Sequence, residues 1–319
     1  MTRTLTRIRV PQSLGWGIGL AVATAVVSGV SIFVNGFAVK QLPDPAVYTT
    51  LKNGVAALLL IGLAAATVQP AAVRSMGRRS WSRLLLIGVV GGSVPFVLFF
   101  TGLAQASAPS AAFIHKTLFV WVALLAVPFL GERLGWLQIA ALAVLLGGQA
   151  LVLTPAGVTW GAGETMIAVA TLLWAVETIV AKRVLSDVPS PVVGAARLGI
   201  GLVVLVGFLA VTGKLPTVAS LRGEQWAWVL LTGGLLTGYV GTWFAALKRA
   251  PASLVTAVLV LGSPVTAALQ MASAGTLPAL SPLVGYGLIL AAAATLLVTG
   301  LGRRRAASAA LGAAEGAVG

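Results

Sequence analysis

The chain has no cysteine, one histidine and seven acidic residues among 319. Without cysteine, disulfides, thiol catalysis and thiolate metal sites are excluded. A single imidazole and so few carboxylates leave little from which to build a metal site or a general acid–base pair, so neither a metal nor another cofactor is expected. Charged residues make up 9% of the chain, against roughly 25% in a soluble domain.

The sequence consists largely of long apolar runs, and hydrophobic residues make up 58% of it. A hydrocarbon core ~30 Å thick is crossed by a helix of ~20 apolar residues. Ten runs meet this length: 15–38, 46–67, 82–104, 108–129, 135–154, 159–181, 191–212, 226–247, 251–273 and 282–301. Barrel strands are only ~10 residues long and alternate in polarity, so the pattern predicts an all-α membrane protein with ten transmembrane helices in the lipid bilayer.

Basic residues are distributed unequally between the two sides of this bundle. Most lysines and arginines lie in the termini and after the even-numbered runs, whereas the other side has only Lys40, Lys214 and Arg222 outside the runs. The positive-inside rule therefore predicts that both termini are cytoplasmic in a multi-pass protein of the cell membrane. The composition favours a bacterial inner membrane. Because the net charge of +14 is explained by topology, no nucleic-acid partner is expected.

Similar landmarks recur along the chain and indicate an internal repeat. Trp16-Gly17 matches Trp160-Gly161, Gly91-Gly92 matches Gly233-Gly234, and Ala108-Pro109 matches Ala250-Pro251, at offsets of 142 to 144 residues. These offsets predict two five-helix copies, residues 15–155 and 156–302. Five is odd, so the copies are inverted across the membrane, an architecture typical of secondary transporters. A short cytoplasmic N-terminus (1–14) and a disordered cytoplasmic tail (303–319) complete the predicted organisation.

The stretch from Leu103 to Leu134, LAQASAPSAAFIHKTLFVWVALLAVPFLGERL, resembles the EamA-like group of the drug/metabolite transporter superfamily. It is similar to that family's turn between the third and fourth helices, followed by a fourth helix that ends in a Gly-Glu pair, here Gly131-Glu132. The second copy departs from the pattern and reads Ala-Gly-Thr near residue 275. The resemblance implies a transporter of small metabolites or drugs that works by facilitative or proton-coupled exchange, with the direction of transport left open.

Six ionisable residues fall within the predicted spans, where a charge costs ~2.5–3.5 kcal/mol at mid-helix and is a functional candidate by default. They are Lys52, His115, Lys116, Glu164, Glu177 and Arg197. Lys52 and Arg197 occupy matching places in the two copies and, with Lys116, are predicted to bind an anionic or zwitterionic substrate. The alternative is that these cations extend to the interface or pair with an acid.

Glu177 and His115 are the predicted proton-coupling residues, because both side chains can exchange a proton. The alternatives are a salt bridge of Glu177 with Lys182 or Arg183, and an interhelical hydrogen bond of His115. Glu164 is expected to be solvated at the end of its helix. Glu132 is expected to bridge to a loop or to cap the fifth helix.

Aromatic and glycine residues inside the spans supply two further expectations. Trp121, Trp174 and Trp243 lie away from the membrane interfaces, and Trp243 is predicted to contact substrate, with core packing as the alternative. Glycines of the third and eighth helices are expected to allow close helix approach. They are Gly88, Gly91, Gly92, Gly234, Gly238 and Gly241.

The function predicted from the sequence is a secondary transporter that moves a small organic solute by alternating access, with proton coupling left open. The alternative is a membrane-embedded enzyme acting on a lipid or lipid-linked substrate. The enzyme is disfavoured because the chain has no His-Glu-x-x-His motif and no cysteine. A channel is disfavoured because no pore-loop signature lies between the runs. A homodimer is left open.

Overall fold

The structure is a computed structural model that describes residues 14–153, 160–275 and 277–316, without the side chains of 108–109 and 302–316. All regular elements in these ranges are helical, which confirms the predicted all-α class. Ten helices are long and apolar enough to cross a membrane: α1 (Leu14–Gln41), α2 (Pro45–Thr67), α3 (Arg78–Leu103), α4 (Ser110–Leu130), α5 (Trp136–Leu153), α6 (Ala162–Val184), α7 (Ser190–Val211), α8 (Gly223–Arg249), α9 (Ala252–Ala274) and α10 (Leu280–Leu301).

Three of the ten spans are interrupted. The span α3 consists of α-helices Arg78–Leu86 and Val94–Leu103 with a π-helical turn, Ile87–Gly91, between them. Both fourth helices of the predicted copies are broken in the middle. The span α4 joins helices Ala108–Lys116 and Leu118–Leu130, and α9 joins Ala252–Leu259 and Gly262–Ala274. Short helices Pro70–Arg74 and Pro216–Ala219 lie between spans.

Local sequence explains where several helices begin and end. Asp44 precedes Pro45 at the start of α2 and accepts hydrogen bonds from the backbone N–H groups of Ala46 (2.7 Å) and Val47 (3.1 Å). This is the usual arrangement of an N-cap residue followed by proline. The fourth and ninth spans both end at a left-handed glycine, Gly131 (φ 68°) and Gly275 (φ 66°).

The last helix continues beyond the membrane span to Gly316. The composition predicted a disordered tail over residues 303–319, whereas residues up to Gly316 are helical. Alanine is the strongest helix former, and this segment is rich in it. Residues 1–13, most of the predicted N-terminal segment, and 317–319 lie outside the described residues.

The helices pack in pairs that correspond when α1–α5 are exchanged with α6–α10. Helix α1 packs on α8 and α9, and α6 packs on α3 and α4 in the same way. Helix α2 packs on α7, and α5 on α10, which are the matching helices of the two halves. The α5–α10 contact is close because Gly148 faces the backbone of Gly285. This correspondence is the one that two related halves would produce.

The expectation for glycines holds for α3 and is wrong for most of α8. A Cβ atom on Gly88, Gly91 or Gly92 would fall within 2.6 Å of a neighbouring helix. In α8 the close approach is made by Gly233, whose Cβ would lie 2.6 Å from Val55 of α2, while Gly234 has nothing within 4 Å. The same is true of Gly241, and Gly238 has only ordinary contact with Val27 at 3.7 Å. Adjacent residues point ~100° apart on a helix. Gly91 and Gly92 therefore face two different helices, α6 and α7, whereas beside Gly233 the side of α8 that Gly234 faces is open.

Candidate functional site

A buried ion pair lies inside the bundle between α6 and α7. Glu177 Oε1 is 3.5 Å from Arg197 Nε, and the two side chains are 2% and 9% exposed. Each residue is seven positions from the helix ends at Val184 and Ser190, or about 10 Å along the axis. Lys182 and Arg183 were the alternative partners predicted for Glu177. Both bind backbone carbonyl groups instead.

The π-helical turn of α3 packs directly on this ion pair. A Cβ on Gly91 would lie 2.3 Å from Glu177 Cγ, and one on Gly92 would lie 2.0 Å from the carbonyl oxygen of Arg197. Any side chain at these two positions would push α3 away from the pair. π-Helical turns in α-helices are frequent at functional sites, and here the turn brings bare backbone against both charged residues.

Aromatic rings line the pair on the side of α3 and α4. Trp174, one turn before Glu177 on α6, donates its indole N–H to the carbonyl oxygen of Gly91 at 3.1 Å. The His115 ring lies 5.0 Å from that of Trp174 and 5.2 Å from that of Phe99, both edge-on. His115 Nδ1 is buried and has no hydrogen-bond partner among the described residues. The structure therefore places His115 in an aromatic group beside the ion pair.

A second aromatic pair approaches from α8. Tyr239 and Trp243 stack with ring centroids 6.2 Å apart and planes inclined by 10°. Helix α8 packs on α7 at this level, since a Cβ on Gly194, one turn before Arg197, would lie 3.3 Å from Val240 Cγ1, next to Tyr239. Trp243 is buried behind it. Sequence analysis missed Tyr239, although a tyrosine one turn before a mid-span tryptophan was an available signal.

Lys52 belongs to a separate polar group formed by α1 and α2. Its ammonium donates to Asn35 Oδ1 at 3.2 Å and lies 5.2 Å from the centre of the Tyr48 ring. The Tyr48 hydroxyl donates to the same Asn35 oxygen at 2.5 Å. Lys52 is seven residues after Pro45, or about 10 Å from the end of the bundle opposite Val184. Lys52 and the Arg197–Glu177 pair therefore lie toward opposite membrane faces.

Lys116 sits at the break in α4, where the first helical segment ends. It is half-buried, and it is adjacent to His115. Among the described residues it forms no ion pair with an acid, in contrast to Arg197. The structure thus brings His115, Glu177, Arg197 and Trp243 into one region, with Lys116 at its edge. Lys52 lies apart from this region, in its own polar group.

The ends of α4, α6 and α8 form the basic end of the molecule. Glu132 accepts hydrogen bonds there from the backbone N–H groups of Ala252 (2.6 Å) and Ser253 (3.2 Å), and from the Ser253 hydroxyl. The expectation that Glu132 caps the fifth helix is wrong, because it caps α9. The target was hidden from sequence analysis since it lies 120 residues further along the chain.

A cavity of about 950 Å³ opens at the basic end beside this cap. Its polar lining includes Glu132, Lys182 and Ser253. Lys182 donates to the carbonyl oxygen of Ala250 at 2.8 Å, so its charge stabilises the C-terminal end of α8. In the lining of the cavity, Lys182 therefore caps the end of α8 and Glu132 caps the start of α9.

Two other expectations were wrong. Glu164 is buried rather than solvated, because its carboxylate folds back to accept a hydrogen bond from the Gly161 N–H at 3.1 Å and caps α6. Trp121 is 38% exposed on the outside of the bundle, so it forms neither a cavity wall nor part of the core.

Together these features define a multi-pass membrane protein with a buried charged and aromatic centre. The chain belongs to the EamA-like transporter family, whose pattern matches residues 15–154 and again 161–298. The resemblance seen in the sequence is thereby confirmed.

Relatives of the chain are described as transporters. It is 30% identical over 269 residues to a probable terminal-alkyne amino-acid exporter of Streptantibioticus cattleyicolor, covering 80% of this chain and 88% of that protein. It is 24% identical to an uncharacterized transporter of Synechocystis sp., covering 59% of each chain. A solved crystal structure with 16% identity shares the fold, with a TM-score of 0.75 over 90% of this chain and 98% of that one.

Proposed function

We propose that the protein is a secondary transporter that exports a small amino-acid-like solute across the cytoplasmic membrane by alternating access. The observation that carries this proposal is the Arg197–Glu177 pair, which is buried among aromatic rings inside the bundle. A guanidinium and a carboxylate side by side match the carboxylate and ammonium of a zwitterion. The name of the exporter from Streptantibioticus cattleyicolor supports an amino acid as the solute class.

The rings around the pair suit the apolar part of such a solute. His115, Trp174 and Trp243 approach the pair from α4, α6 and α8. A binding site that is mostly apolar with a few convergent polar groups is typical for small molecules. In this proposal Arg197 binds the carboxylate and the rings contact the side chain of the solute. Lys52 and Lys116 attract the carboxylate along its path.

Alternating access requires two halves that can move against one another. We propose that the halves are inverted copies, residues 15–155 and 156–302, and that both termini are cytoplasmic, so that the basic end faces the cytoplasm. The matching of helix pairs between the halves supports the first point, and the excess of arginine and lysine at that end supports the second.

Glu177 is the proposed proton-coupling residue. A carboxylate that leaves Arg197 and takes up a proton would let the protein return without cargo. His115 is the second candidate because its ring lies beside Trp174. In proteoliposomes, Glu177→Gln should abolish the dependence of uptake on a pH gradient, while His115→Gln should keep it. Full dependence in Glu177→Gln would remove Glu177 from coupling, and loss in His115→Gln alone would assign coupling to His115.

Transport itself is tested by uptake of the terminal-alkyne amino acid L-propargylglycine into proteoliposomes. Saturable uptake by the wild type that weakens in Lys52→Ala and Arg197→Ala is the expected result. Unchanged KM and rate in both variants would reject the cationic site. The membrane-embedded enzyme remains the rival function, and product formation without movement of solute would favour it.

A further inference from the structure

Helix α2 carries two buried polar side chains that no part of the proposed mechanism uses. Asn53 is 1% exposed and Thr49 is 2% exposed. Among the described residues, both polar atoms of the Asn53 amide and the Thr49 hydroxyl have no hydrogen-bond partner. Buried polar groups in proteins are nearly always hydrogen-bonded, and each exception calls for a physical explanation.

These two side chains lie one turn apart on the same face of the helix. Residues four positions apart are ~6 Å apart on a helix surface. Lys52 is three positions after Thr49, so Thr49 lies between Lys52 and Asn53 around the helix axis. The ammonium of Lys52 has three N–H donors, and one of them goes to Asn35. An ammonium, a hydroxyl and an amide therefore project from adjacent positions.

Their surroundings place this group between the two halves of the molecule. A Cβ built on the neighbouring residue Gly54 would lie 3.5 Å from the side chain of Leu202 in α7. On the other side, the carbonyl oxygen of Lys52 lies 3.2 Å from a Cβ built on Gly233 of α8. Helix α2 belongs to the first half, and α7 and α8 belong to the second. Movement of the halves would therefore open and close this face.

The group lies at a different depth from the Arg197–Glu177 pair. Asn53 is eight residues after Pro45, or about 12 Å from the end of the bundle opposite the basic end. Arg197 is 14 residues before Val211, or about 21 Å from the same end. A solute that travels from the basic end to the other face passes Arg197 first and Asn53 about 9 Å later.

We propose that Thr49, Lys52 and Asn53 form a second binding site for the α-amino-acid part of the solute, in the half of the membrane opposite the basic end. The Lys52 ammonium, the Thr49 hydroxyl and the Asn53 NH2 donate to the carboxylate. The Asn53 oxygen accepts from the ammonium of the same solute. A side-chain amide offers both donors and an acceptor, so it fits a zwitterion better than it fits a simple anion. This inference rests on the proposed function, because it assumes that an amino acid is carried.

The test replaces the amide by an apolar group of similar size in the full-length protein. Asn53→Leu should raise the KM for L-propargylglycine at least tenfold in proteoliposomes. The melting temperature of the detergent-solubilised variant should stay the same or rise, because an unpaired buried amide is lost. Thr256→Val is the matched control: Thr256 is buried on α9 and its hydroxyl donates to the carbonyl oxygen of Ala252 at 2.9 Å. It should leave KM unchanged.

A second solute keeps the test decisive if Asn53→Leu folds poorly. Pent-4-ynoate is the same compound without its amino group, and wild-type protein should prefer the amino acid. Asn53→Leu should reduce this preference, since the acceptor for the ammonium is gone. An equal rise in KM for both compounds, or no change in KM at all, would overturn the second site. Absence of any saturable uptake by the wild type would instead reject the proposed function.

Discussion

Arg197 Nε lies 3.5 Å from Glu177 Oε1, and this contact joins two consecutive helices, α6 and α7, at a point where both side chains are almost completely buried. Neither atom makes a hydrogen bond of good geometry with another described residue. Each charge is therefore compensated mainly by the other. Such a pair is easily separated by a ligand that brings charges of its own.

The first prediction concerns the stability of this pair. Arg197→Met leaves a buried carboxylate without its partner, which should lower the free energy of unfolding by about 3–5 kcal/mol. The double variant Glu177→Met/Arg197→Met replaces both charges by apolar groups and should recover most of that loss. Thermal unfolding in detergent measures both. If Glu177→Met/Arg197→Met were as unstable as Arg197→Met, the two charges would not be compensating mainly each other.

The second prediction uses the glycine beside the pair. Gly91→Ala places a methyl group 2.3 Å from Glu177 Cγ, so the carboxylate has to move and uptake should fall at least tenfold. Overpacking of this kind costs about 1–3 kcal/mol. Gly234→Ala, in open space on α8, is the control and should stabilise the helix by up to about 1 kcal/mol. Normal uptake by Gly91→Ala would contradict the placement of Glu177 in the transport site.

The third prediction concerns the cap at the basic end. Glu132 ties the end of α4 to the start of α9, so Glu132→Ala should cost about 1–2 kcal/mol. Because this link between α4 and α9 is lost, the basic end of the Glu132→Ala variant should open more often. A cysteine introduced as Leu254→Cys, in the cavity wall, should then react several-fold faster with a thiol reagent, which is easily read because the chain has no cysteine.

Asp187→Ala is the control for this cap, because Asp187 is an exposed acid at the same end. It should leave labelling of Leu254→Cys unchanged. If Glu132→Ala labels no faster than Asp187→Ala, Glu132 is a local cap that has no part in keeping the basic end closed.

The fourth prediction is a pH dependence outside the membrane-spanning segments. Burial acts to raise the pKa of Asp44, but the hydrogen bond from Lys214 and those from Val47 and Ala46 outweigh it and hold the pKa below the ordinary 3.8. A carboxyl with a lowered folded-state pKa stabilises the fold in full above its unfolded value, and this stabilisation is lost as the pH falls through the folded value.

Two substitutions separate the contributions of Asp44. Asp44→Asn keeps the cap of α2 and loses only the ion pair with Lys214, which is partly exposed and worth below about 1 kcal/mol. Asp44→Ala loses both and should cost about 1–2 kcal/mol. In acid titrations of unfolding, both variants should approach the wild type in stability below about pH 3.8. A constant difference down to acid pH would contradict this account.

Sequence analysis predicted the spans and supplied candidate site residues, but it could not predict the contacts between those residues. Ten apolar runs and charges inside them are local signals, so Glu177, Arg197 and His115 could be selected from the sequence alone. Their arrangement depends on the π-helical turn of α3, which is determined by packing against α6 and α7 and has no sequence period of its own. Glu132 was recognised as a possible cap, but the N–H donors that it caps, at the start of α9, are brought next to it only by the fold.

The partners of each cation were the other feature that the sequence could not supply. Lys52 and Arg197 occupy matching places in the two copies, and this suggested one shared cationic site. The structure instead gives Lys52 its own partners, Asn35 and Tyr48, away from the Arg197–Glu177 pair.

Counterflow in proteoliposomes tests the central claim most directly. Vesicles that hold wild-type protein are loaded with unlabelled L-propargylglycine and diluted into a trace of the labelled compound. A carrier predicts a transient accumulation of label above equilibrium that saturates with concentration, and loss of this accumulation in the folded Glu177→Met/Arg197→Met variant. Entry of label in linear proportion to concentration and without accumulation, or full accumulation in the double variant, would contradict a carrier built around Arg197 and Glu177.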